Sequence, residues 1–150
     1  MAQTQETQHA LLMPWGHFAQ EIGMISGLES VKLSQKEYER TTQAKVLEFL
    51  VAILSGAKYL QDVSLAAQPL DKDVAVAQAW GQAGWADYTG LSRTLKKLTW
   101  AEVHTLVGVL ERVSQPMIEN EWTLLSGQGR GLEYDGDLTG LPVSNTSRSY

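Results

Sequence analysis

The residues best spaced for chemistry are two acidic side chains near the C-terminal end. In Asp135-Gly136-Asp137-Leu138-Thr139-Gly140 the carboxylates stand two residues apart. On a strand they point the same way, about 7 Å apart at the backbone. That arrangement suits a divalent cation held by oxygen ligands, with Thr139 placed for a supporting hydrogen bond. Asp-Gly pairs also form turns for conformational reasons alone, so spacing by itself leaves both readings open. The second group is cationic. Arg93, Lys96 and Lys97, at i, i+3 and i+4, share one helical face with Ser92, opposite an apolar face of Leu91, Leu95 and Leu98. A short basic helix after a helix and a tight turn has the layout of a helix-turn-helix DNA reader. It also fits a solvated face whose cations complement the helix dipole.

The remaining chemistry is sparse. His9, His17 and His104 show no metal-ligand spacing, and the absence of Cys removes thiolate nucleophiles, disulfides and Cys-ligated zinc. His104 borders an apolar helix stripe and reads as packed or hydrogen-bonded. Trp80, Trp100 and Trp122 fall on apolar helix faces and read as core, whereas Trp85 in a Gly-rich turn is the tryptophan that suits a partner surface. Twelve Lys+Arg against seventeen Asp+Glu give a net charge of −5. This excludes a protein that coats phosphate through bulk positive charge, so any DNA contact must be concentrated on the basic helix. The longest apolar run, residues 46–54, contains Glu48 and is far short of the roughly 20 residues of a membrane span. A polar N-terminus without a basic lead does not read as a signal peptide. No membrane partner and a cytoplasmic location, nucleoid-associated when DNA-bound, are therefore expected.

These residues must be positioned by a mainly α chain. Residues 1–8 read as a disordered arm and residues 9–125, rich in Leu, Ala, Val, Gln and Glu, as a helical domain. Residues 126–150 hold five of the thirteen glycines and change period. Periodicity and end signals predict helices over residues 14–26, 34–55, 59–66, 72–80, 90–98 and 103–125. Ser34-Gln35-Lys36-Glu37 and Thr99-Trp100-Ala101-Glu102 have the form of capping boxes, and Asp71 is placed to cap the fourth helix. In the second helix Val46, Phe49, Leu50 and Ile53 form one stripe and Leu47, Val51 and Leu54 the opposite one, which predicts a strut buried on both sides. Residues 130–139 alternate as a strand, and one strand needs a sheet.

The tail from Leu132 to Tyr150, with Asp135-Gly136-Asp137-Leu138-Thr139-Gly140-Leu141-Pro142-Val143-Ser144-Asn145-Thr146 at its centre, resembles the segment around the first catalytic Asp of bacterial insertion-sequence transposases of the DDE type. Leu70-Asp71-Lys72-Asp73 through Trp80-Gly81, followed by Leu91-Ser92-Arg93-Thr94-Leu95, looks like the helical region preceding the catalytic domain in that family. The resemblance implies a helix-turn-helix-like N-terminal domain, then the truncated first strand of a ribonuclease-H-like catalytic domain. In the intact family two Asp and one Glu hold two Mg²⁺ or Mn²⁺ ions that activate water, then a DNA 3′-hydroxyl, for attack on phosphodiesters. Asp137, with Asp135 as the second candidate, matches the first of those ligands. The chain stops at Tyr150, so the later acidic residues are not supplied, and catalysis by this polypeptide alone is not expected. Ser92, Arg93, Lys96 and Lys97 are the expected DNA contacts, and insertion-sequence ends, further copies or intact transposase subunits the expected partners. One alternative is a regulatory module that pairs with intact transposase. Another is a haloacid-dehalogenase-type phosphatase, whose nucleophile motif is also Asp-x-Asp-x-Thr, although Glu133 interrupts the apolar run that normally precedes it.

Overall fold

A computed structural model describes residues 7–36 and 39–130. Asp135, Asp137 and the predicted strand apart from Arg130 lie outside them. Every regular element among the described residues is helical: α1 (Leu12–Glu21), α2 (Met24–Glu29), α3 (Thr42–Leu54), α4 (Asp62–Leu65), a 3-10 turn (Leu70–Lys72), α5 (Val74–Ala79), α6 (Tyr88–Leu95) and α7 (Trp100–Gly127). The mainly α expectation holds for this region. The chain divides into a unit of residues 1–116 and a unit of residues 117–150. No described helix is long and apolar enough to cross a membrane.

In the first unit α1 packs on α5 and α2, while α3 packs on α6 and α2. The closest of these seats depends on Gly16: a Cβ there would lie 2.6 Å from the Ala79 carbonyl oxygen and 2.8 Å from Trp80 Cδ1. With no side chain in the way, Trp80 Nε1 donates to the Leu12 carbonyl (2.9 Å) and Gln20 Nε2 to the Ala79 carbonyl (2.6 Å). Trp80 is thus core, as its periodicity predicts, and its one polar atom is satisfied. Ahead of α1, the Thr7 hydroxyl donates to Asp73 Oδ2 at 2.6 Å.

Several predicted boundaries move, each because a partner was chosen elsewhere. The single helix over residues 14–26 is two, because Gly23 adopts the left-handed conformation (φ 76°) between α1 and α2. The Ser34 box does not start a helix. Its backbone N–H and hydroxyl both donate to Glu102 Oε1 (2.7 and 2.8 Å), and α3 begins only after Thr41, whose hydroxyl accepts from Ala44 N–H. Asp73, not Asp71, caps α5 by accepting from Val76 N–H (3.1 Å), since the 3-10 turn after Pro69 occupies Asp71. Asp87 caps α6 by accepting from Gly90 N–H (2.7 Å), which starts that helix two residues earlier than predicted. The Thr99–Glu102 box forms as predicted, with Glu102 Oε2 accepting from Thr99 N–H and the Thr99 hydroxyl accepting from Glu102 N–H.

The strut is a half-success. Val46, Leu47 and Val51 are buried from both predicted stripes, but Ile53 and Leu54 in the last turn are more than half exposed. Three tryptophan assignments reverse. Trp85 is buried at 7% exposure, because the loop before α6 folds inward onto α3, whereas Trp100 is 74% exposed and Trp122 51%. Trp100 opens α7, before that helix reaches the core through Leu106 and Val109. His104 is exposed and meets Trp100 in a tilted ring contact of 6.4 Å rather than packing inward.

Candidate nucleic-acid interface

A polar groove of about 310 Å³ runs between α6 and the N-terminal end of α3, with part of the preceding loop. Four cations line it: Arg93 from α6, Lys97 from the turn after it, Lys45 from α3, and Lys36 from the loop. Its shape is fixed from beneath. Thr42 and Thr94 are buried beside it, and Gln35 Nε2 donates to the Thr94 carbonyl (2.9 Å), tying the loop to α6. Arg93 lies in the last turn of α6, and Lys97 stands two residues past its end, in a turn closed by the Lys97 N–H donating to the Thr94 carbonyl (3.1 Å). On α3, Thr42 and Lys45 occupy one side of the first turn.

Of the four residues predicted to contact DNA, the structure brings Arg93 and Lys97 into this groove. Ser92, half-buried, and Lys96, exposed, do not line it. Lys36 and Lys45 were missed. Lys36 falls within the Ser34–Glu37 box and Lys45 lies far from α6 in sequence, so neither carries a local signal. The expected helix-turn-helix geometry is also corrected. The segment between α5 and α6 spans residues 80–87, not a tight turn, and α6 packs on α3 and α4 while α5 packs on α1.

Asp87, the α6 cap, has its pKa held below the ordinary Asp value by the Gly90 N–H, then by the Thr89 hydroxyl, so an anion stands at the start of α6. Arg40 takes no part in the groove: its guanidinium lies against Gly84, where a Cβ would be 2.7 Å from Nη2. It faces the loop that covers Glu48. Glu48 itself is 1% exposed and too enclosed to meet a substrate. Burial pushes its pKa up to about 8, with the nearby Asp71 adding to the rise, while the Ala86 N–H (2.7 Å to Oε2) and Arg40 oppose it. Among the described residues no group of three or more His, Cys, Asp or Glu is arranged to hold a metal ion. The metal-ligand expectation rests on Asp135 and Asp137, outside that region. The chain was compared with protein-family models, with curated proteins and with solved structures, and none of these matches it.

Proposed function

We propose that this chain carries the DNA-binding part of an insertion-sequence transposase of the DDE type, with Asp137 and Asp135 as contributors to its Mg²⁺ or Mn²⁺ site. The observation that carries the DNA-binding reading is the groove holding Arg93, Lys97, Lys45 and Lys36 on a chain of net charge −5. In a protein with an acid excess, four cations on one concave surface concentrate the positive field where a phosphate backbone could run. Arginine supplies a planar fork for phosphate oxygens and the lysines supply mobile point charges. The tail resemblance supplies the second support, since it comes from a segment distinct from the groove.

Salt-dependent binding to duplex DNA tests the reading. Each phosphate contact releases counterion, with a slope of about 0.9 per contact in log affinity against log salt. Arg93→Ala combined with Lys97→Ala is expected to weaken binding and reduce that slope by about 2. Lys96→Ala, outside the groove, should change both less. Fluorescence anisotropy with a labelled duplex reads these quantities; an unchanged slope in the double variant would remove the groove from DNA binding.

A further inference from the structure

The floor of the polar groove is as informative as its cations. Thr42 and Thr94 line it at 3% and 4% exposure, and among the described residues neither hydroxyl has a hydrogen-bond partner. Thr105 and Thr123 in α7 return their hydroxyls to the carbonyl one turn back. Thr94 has such a carbonyl at Gly90 and leaves it alone. Thr42 opens α3, a helix of 13 residues with no acidic side chain in its first turn. The Thr41 hydroxyl takes the Ala44 N–H. The N–H groups of Thr42 and Gln43 are left without an acceptor among the described residues.

Around this floor stand Arg93, Lys45 and Lys97. Among the described residues no carboxylate lines the groove, and none forms an ion pair with these three. Asp87 shares the field of Arg93, but its oxygens are engaged by Gly90 and Thr89. Two hydroxyls, two helix N–H groups and three cations make a donor set that complements an oxyanion. Depth decides which kind. A backbone phosphodiester carries a sugar on each side and passes over a surface, so it cannot lower its oxygens onto hydroxyls that are nearly closed over. A phosphate bonded through a single oxygen enters end-on, and its charge of nearly −2 at neutral pH makes fuller use of three cations. The volume of about 310 Å³ is at the small end of ligand pockets.

We propose that the groove seats one terminal phosphate group, a phosphomonoester, with Thr42 and Thr94 donating from the floor and Arg93, Lys45 and Lys97 closing over its oxygens. The proposal rests on the reading that this groove faces phosphate, and it narrows that reading from a strand passing by to an end that enters.

Titration of the ¹⁵N-labelled full chain with methyl phosphate and with dimethyl phosphate separates monoester from diester. Methyl phosphate is expected to shift the Thr42, Gln43 and Thr94 amide resonances and to bind about tenfold more tightly than the diester. Thr94→Val, which keeps the shape and removes the hydroxyl, should weaken methyl phosphate by about tenfold, and Thr94→Ser should restore it. Arg93→Gln, at an exposed position that the fold tolerates, should weaken it in the same sense. Ribose 5-phosphate and duplexes ending in a 5′-phosphate or a 5′-hydroxyl identify the source. A preference for the phosphorylated duplex assigns the phosphate to a strand end, and a preference for ribose 5-phosphate assigns it to a small ester. Equal affinity for the two methyl esters, no amide shift, or a Thr94→Val variant that binds like wild type would each overturn the proposal. Salt-dependent duplex binding that persists in such a case leaves the DNA-binding reading standing, whereas methyl phosphate binding without duplex binding removes that reading alone.

Discussion

Glu48 and Glu102 are both buried glutamates of the helical unit, and their surroundings drive them in opposite directions. Glu102 sits where three segments meet and accepts from the backbone N–H and hydroxyl of Ser34 and from those of Thr99. Those donors, the Ser34 and Thr99 N–H groups foremost, hold its pKa down to about 2. Glu48 has one donor, the Ala86 N–H, while its Oε1 has no partner, and burial takes its pKa up to about 8. The comparison teaches that the charge of a carboxyl group follows the balance of enclosure and donors: deep enclosure with one donor keeps Glu48 protonated, whereas less enclosure and donors from two residues keep Glu102 ionised. Near neutrality Glu102 is an anion that joins the Ser34 loop to the start of α7, and Glu48 is mostly a neutral acid packed like an apolar side chain.

The contrast is open to measurement, most strongly at Glu48. A raised folded pKa means that the folded state retains a proton the unfolded chain releases above about pH 4.5. The contribution is therefore fully present below that pH and is lost as pH rises through about 8. From pH 4 to pH 8 the loss at this site is on the order of 4 kcal/mol. Glu48→Gln, which keeps an acceptor for Ala86 N–H but cannot ionise, should remove this component and be more stable than wild type at pH 8 by urea unfolding. A parallel pH profile for variant and wild type would end the claim that Glu48 is neutral. Glu102→Gln should act in the opposite sense and more weakly. Its depressed pKa stabilises the fold above about pH 4.5 and ceases to do so as pH falls through about 2. The variant should be less stable than wild type at pH 6, with the gap closing on acidification. The smallest effect is expected from Arg40→Gln. It removes a charge that favours ionised Glu48, so the Glu48 titration followed by carboxyl NMR should move further up.

This pair also marks where the sequence is readable. The Thr99–Glu102 box is legible because both members lie within one turn and the pattern has a local mechanism. Ser34 carries the same type of signal, yet its hydroxyl and N–H serve Glu102, far along the chain, so a local reading starts the helix too early. Asp71 and Asp73 are equally good caps on paper, and the 3-10 turn after Pro69 selects the second. The helical class and most of the apolar faces follow from periodicity. Trp100 and Trp85 do not, since periodicity says which face of a helix a residue occupies but not whether the helix has reached the core there. At the candidate DNA surface, Arg93 and Lys97 are legible as neighbours four residues apart, although the helix predicted to carry both ends at Leu95. Lys36 and Lys45 join them only through the packing of α3 against α6, which no spacing within the sequence encodes. The acidic pair at Asp135 and Asp137 is legible as a motif, and the described residues do not extend to it.

The seat of α1 on α5 has a practical consequence. Leu12 and Gln20 grip the Trp80 indole and the Ala79 carbonyl from opposite ends of α1, with Gly16 in the narrow place between. Deleting residues 7–21 to obtain a smaller binding fragment would uncover the indole and leave its N–H facing water. Domain mapping by deletion from the N-terminal side would then report aggregation where the experimenter sought a minimal domain. Any shortened version meant to retain the basic groove has to begin upstream of Leu12.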